Sequence, residues 1–171
     1  RSTSTSGTLS LAGNFSNSGT FTHNSGTLTF TASAGTQTLN SGGSSFNNVT
    51  HNAAGTLQLS TNNISIGGTF TNSAGTYDAN ALTTTISGLT TVSGGIYSAS
   101  TNTQTFNGGL TISGGTFTGS SGTVTTTDVT LSTGTLTAPS GTFNVSGNWS
   151  KSGGTFTPGS NTVTFTKSSG T

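Results

Sequence analysis

The sequence predicts an all-β chain of the parallel β-solenoid class, with about 20 residues per coil, three short strands in each coil and eight or nine coils in one uncapped segment over residues 1–171. Three observations predict it. A Gly-Thr-apolar step recurs along almost the whole chain. Apolar residues within each short segment alternate at a period of two, the periodicity of a strand with one buried face. The apolar fraction, 26%, is also too small for the wide core of an ordinary globule.

Composition narrows the class further. Ser, Thr, Gly and Asn supply 29, 42, 27 and 16 residues, together 114 of 171. Polar low-complexity chains often fail to bury enough apolar surface to order themselves. Here ten Phe, many Thr, Val, Ile and Leu, and only two Pro favour β-structure instead. The net charge of +1 rests on Arg1, Lys151 and Lys167 against Asp78 and Asp128, too few and too scattered for a phosphate-binding patch. Nucleic acid is therefore not an expected partner. No apolar run approaches the ~18–20 residues of a membrane span, so membrane insertion is not expected. Cysteine is absent, which removes disulfides and thiolate chemistry. With neither an initiator Met nor a signal peptide, the chain reads as a mature piece or a window of a longer one.

The repeat is clearest over residues 55–74, GTLQLSTNNISIGGTFTNSA. Units open at Gly19, Gly35, Gly55, Gly75, Gly95, Gly115, Gly134 and Gly154, with another at Gly170, in steps of 16, 20, 20, 20, 20, 19, 20 and 16 residues. The third position is large in Phe21, Leu57, Tyr77, Tyr97, Phe117, Leu136 and Phe156, and only Gln37 breaks that column. A second column holds Leu39, Leu59, Ala79, Ala99 and Ala138; further along come Phe46, Ile64 with Ile66, Ile86, Phe106, Val124, Phe143 and Val145, then Phe70, Leu110 with Ile112, Val129 with Leu131, and Trp149. Each unit thus reads as three strands separated by Gly, Ser and Asn corners that tolerate positive φ. Stacking places Tyr77 over Tyr97 and Ile66 and Phe106 against Ile86, in a core one or two side chains wide. At ~4.8 Å between paired strands, eight or nine coils extend roughly 40 Å.

A longer period lies on top. Residues 7–36 match 141–171 with one Gly inserted: Asn14-Phe15-Ser16 corresponds to Asn148-Trp149-Ser150, and Leu28-Thr29-Phe30-Thr31 to Val163-Thr164-Phe165-Thr166. The spacing implies one 135-residue super-repeat, about 19–153, with the next copy beginning over 154–171. Gly170-Thr171 opens a further coil, and neither end resembles a cap. An uncapped solenoid continues in a longer chain or stacks end to end with copies of itself.

Enzymatic chemistry finds no foothold in the pattern. Asp78 and Asp128 lie more than two coils apart at different unit positions, which does not suit the ~5–9.5 Å separations of a glycosidic carboxylate pair. His23 and His51 sit in turn-like contexts without a neighbouring acid and read as exposed corner residues. The Asp column of calcium-binding nonapeptide coils is missing, and no metal or cofactor is expected.

Outward threonines offer one candidate site. Thr20 and Thr22, Thr36 and Thr38, Thr116 and Thr118, Thr135 and Thr137, and Thr155 and Thr157 flank the inward third position and form a possible ladder resembling the Thr-x-Thr arrays of ice-binding solenoids. Gln58, Asp78 and the Ile96/Ser98 pair interrupt it, and threonine also favours exposed strands in general. Asn-x-Ser/Thr occurs at Asn14, Asn48, Asn63, Asn144 and Asn148, as chance allows in so Asn- and Thr-rich a chain.

Segments such as GTQTLNSGGSSFNNVTHNAAGTLQL (35–59), GGLTISGGTFTGSSGTVT (108–125) and GGTFTPGSNTVTFT (153–166) resemble the Ser/Thr/Gly-rich β-strand repeats of giant bacterial surface proteins and adhesins. More distantly they resemble filamentous-haemagglutinin and autotransporter solenoids. The likeness implies secretion, an extracellular or cell-surface place, and a spacer, scaffold or attachment role. The expected function is a structural repeat segment of a filament or giant surface protein, its partners being flanking repeats or copies of itself. The alternative is a binding module, either an adhesin for surface glycans or an ice-binder.

Overall fold

A computed structural model of the chain describes residues 2, 3 and 6–168, and shows a parallel β-solenoid of about eight coils. Every strand pairing is parallel, and no helix occurs among the described residues. Gly170 and Thr171, where the sequence places the opening of another coil, lie outside the described residues.

Each coil passes three faces in turn. The first face carries strands Thr8–Leu11, Thr27–Phe30, Asn48–His51, Phe70–Asn72 and Thr90–Val92, the opening residues of Leu110–Thr118 and Val129–Thr137, and then Trp149–Lys151. The second carries Phe15–Ser16, Thr36–Asn40, Thr56–Leu59, Thr76–Asp78 and Ile96–Ser98, the closing residues of the same two long strands, and Thr155–Thr157. The third carries Ser2–Thr3 paired with Phe21–Thr22, then Phe46 bridged to Ile66, and a regular six-stranded sheet from Ile64–Ile66 to Val163–Phe165. Leu110–Thr118 and Val129–Thr137 turn the first corner without leaving the ladder, through register shifts at Ser113. Elsewhere glycine makes the corner: Gly75, at φ +59°, lies so close to the coil below that a Cβ would stand 2.1 Å from the Gly55 carbonyl oxygen.

Period-two alternation sends every second side chain inward, and parallel register then puts like over like. Leu57, Tyr77, Tyr97, Phe117 and Leu136 form one buried column, with Gln37 below it. The Tyr77 and Tyr97 rings are 4.8 Å apart and Tyr97 stacks on Phe117 at 5.2 Å. Leu39, Leu59, Ala79, Ala99 and Ala138 are buried beside them, and on the third face Phe46, Ile66, Ile86 and Phe106 follow in register. Fully burying such a side chain contributes about 1.5–3 kcal/mol, so a thin core suffices when it is continuous.

The register differs from the sequence reading at the first unit. Residues 19–34 hold two strands, Phe21–Thr22 and Thr27–Phe30, and so two-thirds of a coil. Phe21 therefore lies on the third face, outside the Leu57–Phe117 column, and packs against Phe15 and Phe46 at 5.2 and 5.5 Å. The same shift governs the longer period. Leu9 is on the first face but its counterpart Phe143 is on the third; Phe15 is on the second and Trp149 on the first; Leu28 is on the first and Val163 on the third. Counting from Thr8–Leu11 to Phe143–Val145, with Phe46 as one strand position and the two long strands as two each, gives 20 steps, and 20/3 is six and two-thirds coils.

Candidate functional site

The outward residues are the chemistry this fold displays. On the second face Thr36, Thr56, Thr76, Ile96, Thr116, Thr135 and Thr155 form one column, and Thr38, Gln58, Asp78, Ser98, Thr118, Thr137 and Thr157 the other. Thr20 and Thr22 are not part of this array, because their segment lies on the third face against Thr3. The middle of the ladder is broken chemically as well as in sequence: Gln58 Nε2 donates to Asp78 Oδ2 at 2.8 Å, and Ile96 is 41% exposed.

The third face carries a more regular array. Ser65, Thr85, Thr105, Thr125, Asn144 and Thr164 are in direct register across the six-stranded sheet. One pleat earlier stand Asn63, Thr83, Thr103, Thr123 and Thr142; the last four accept, through their carbonyls, from Ile64, Thr84, Gln104 and Val124 backbone N–H groups. Alignment on the opening glycines directs attention to positions two and four of each unit. These residues sit at positions nine and eleven and were missed for that reason; their signal was the Thr-x-Thr spacing in 83–85, 103–105 and 123–125.

Corner amides tie coil to coil. Asn14, Asn48 and Asn63 accept through Oδ1 from the backbone N–H groups of Thr38, Thr69 and Thr83 in the next coil, and Asp128 does the same for Asn148. Asn80 and Asn161 donate downward to the Leu59 and Gly141 carbonyls. Such bonds satisfy backbone groups that the tight corners leave without a ladder partner.

No protein-family model, curated protein or solved structure matches this chain.

The titratable groups do not converge. Asp78 is on the second face, whereas Asp128 is at the corner between the third and first, and among the described residues no three of His, Cys, Asp or Glu gather. His23 is at a surface turn, where its Nδ1 accepts from the Ser25 N–H. His51 departs from the sequence reading: it is 1% exposed, facing inward between Phe30 and Asn72. The THNAAG run looks like a corner, but Asn48–His51 is a strand and alternation turns His51 into the core. Burial lowers its pKa below the usual histidine value, partly opposed by the bond to Asn72. Burial likewise raises the phenols of Tyr77 and Tyr97. Tyr97 donates to Gln104 Oε1 at 2.9 Å, and Tyr77 meets Thr84 Oγ1 at 3.0 Å.

A shallow cleft of about 490 Å³ opens beside the third face, lined by Gly43, Ser44, Asn62, Asn63, Ser65 and Thr83 among others. It marks the coil in which Phe46 alone stands for the third-face strand. Its walls are neutral amides and hydroxyls.

Proposed function

We propose that this chain is a structural repeat segment of an extracellular filament or giant cell-surface protein, stacking coil on coil as a continuous β-solenoid. The observation carrying this reading is the unbroken run of inward columns, in which each side chain rests mainly on its equivalents above and below. A ladder of this kind spreads load over many parallel hydrogen bonds and leaves few protease-accessible loops. The resemblance of its Ser/Thr/Gly-rich repeats to those of giant bacterial surface proteins supports the extracellular place, and neighbouring repeats or further copies are the natural partners for its coil edges.

Imaging of the native material tests the proposal. Thin rods or fibres one coil wide are expected, whereas compact blunt particles without end-to-end contacts overturn it.

A further inference from the structure

We propose that the third face is an ice-binding surface, an activity that holds whether or not the segment is built into a fibre. The central part of this face is a two-column array of threonine. Thr83 and Thr85, Thr103 and Thr105, and Thr123 and Thr125 repeat on three consecutive coils, continued by Thr142 with Asn144. Parallel pairing sets the rungs ~4.8 Å apart and the pleat sets the two columns ~6.6 Å apart. All five strand pairings in this sheet are free of register shifts, unlike the long strands that turn the first corner.

Three properties select the ligand. First, among the described residues none of the six hydroxyls has a protein partner, so all six are free to donate to and accept from water. Second, threonine is stiff at χ1 and the strands rest on the buried Ile66, Ile86 and Phe106 column, so the hydroxyls are held in place before any ligand arrives. Third, between Asn63 and Thr126 the third face carries no charged side chain, Asp78 lying on the second face, and its aromatic Phe106 is fully buried. A charged side chain would impose its own hydration shell, and a pyranose ring would want an exposed aromatic plane. A rigid, neutral, two-dimensional lattice of hydroxyls and methyls instead suits a ligand that is itself a neutral lattice of water oxygens, whose repeats in hexagonal ice are close to the two spacings above. Each contact is weak, and the regular array lets many form together.

The second face lacks this continuity, because the Gln58–Asp78 bond and exposed Ile96 fall in the middle of its ladder. The first face has a single threonine column, Thr71, Thr91, Thr111 and Thr130, with Leu89, Gly109 and Asp128 one pleat earlier in place of a second, and these two faces supply the controls. The chain is examined for a gap between melting and freezing temperatures in the presence of a seed crystal, and for incorporation into a slowly growing ice front. The wild type is expected to show both. Thr105→Lys loses them, while Thr111→Lys on the first face and Thr116→Lys on the second retain them, with unchanged circular dichroism in all three. Thr123→Lys reads the same face if Thr105→Lys does not fold. Rejection of the folded wild type by ice, an equal loss in a control variant, or retention of cellulose or chitin without any effect on ice overturns the proposal.

Discussion

His51 Nδ1 lies 2.7 Å from Asn72 Oδ1 inside the first-face column, one coil above the other. The Asn72 amide nitrogen donates to the Gly94 and Ile96 carbonyls, both at 3.1 Å, which fixes its oxygen towards the imidazole. Nδ1 therefore carries the proton, and the ring is neutral with Nε2 facing the core without a partner among the described residues.

This pair makes stability depend on pH. The buried ring resists protonation, so its folded-state pKa is lowered while the unfolded chain titrates near 6.5. Between those two values the unfolded state binds more protons, and stability rises with pH. The contribution is complete above about pH 6.5 and is lost as the pH falls towards the folded value. Denaturant midpoints measured from pH 7.5 downward should fall through this window, and His51→Leu should flatten the slope. Identical slopes for the two proteins would contradict the assignment.

Ile66→Asp should cost on the order of several kcal/mol, because the carboxylate would sit unpaired between Phe46 and Ile86 at a position with 0% exposure. Limited proteolysis is expected to begin within residues 45–90. Unaltered protease resistance there would refute the register.

Gly75→Ala tests the corners. Its φ of +59° and the 2.1 Å approach to the Gly55 carbonyl oxygen both oppose a side chain, and a destabilisation of roughly 1–3 kcal/mol is expected. Gly19→Ala is the control, since nothing lies within 4 Å of the added carbon. Chemical denaturation distinguishes the two.

Tyr97→Phe removes the donor to Gln104 Oε1 in a fully buried setting. The unsatisfied amide oxygen should cost about 1–3 kcal/mol. Gln104→Leu also removes the Nε2 donations to the Leu82 carbonyl and Ser100 Oγ and should cost more on its own, and a double-mutant cycle on unfolding free energies measures the coupling between the two side chains. Additive effects would place the two side chains out of contact.

The coil, its three strands and most inward columns were legible in the sequence, because the glycine corners repeat at nearly constant spacing and apolar residues alternate between them. Phe21 misled because its Gly-Thr-Phe opening is the same as that of Gly115-Thr116-Phe117, although one begins a third-face strand and the other a second-face strand. His51 misled because residue type outweighed alternation. The two-column threonine array of the third face escaped notice because a glycine-anchored alignment ranks positions by distance from the corner. Facing and register across coils are properties of pairing partners, which a single linear spacing does not contain.

The six-and-two-thirds-coil offset shows what a face is in this architecture. Matching segments, 7–33 and 141–168, fold on different sides of the same rod, so their residues specify inside and outside but leave compass direction open. Direction is a running tally of strands already laid down, kept modulo three. Adding or deleting one strand with its corner would swing everything beyond it through a third of a turn, changing the neighbours along each column only at the coil where the change falls. The surface of such a rod can be re-aimed by indexing alone, without a new core.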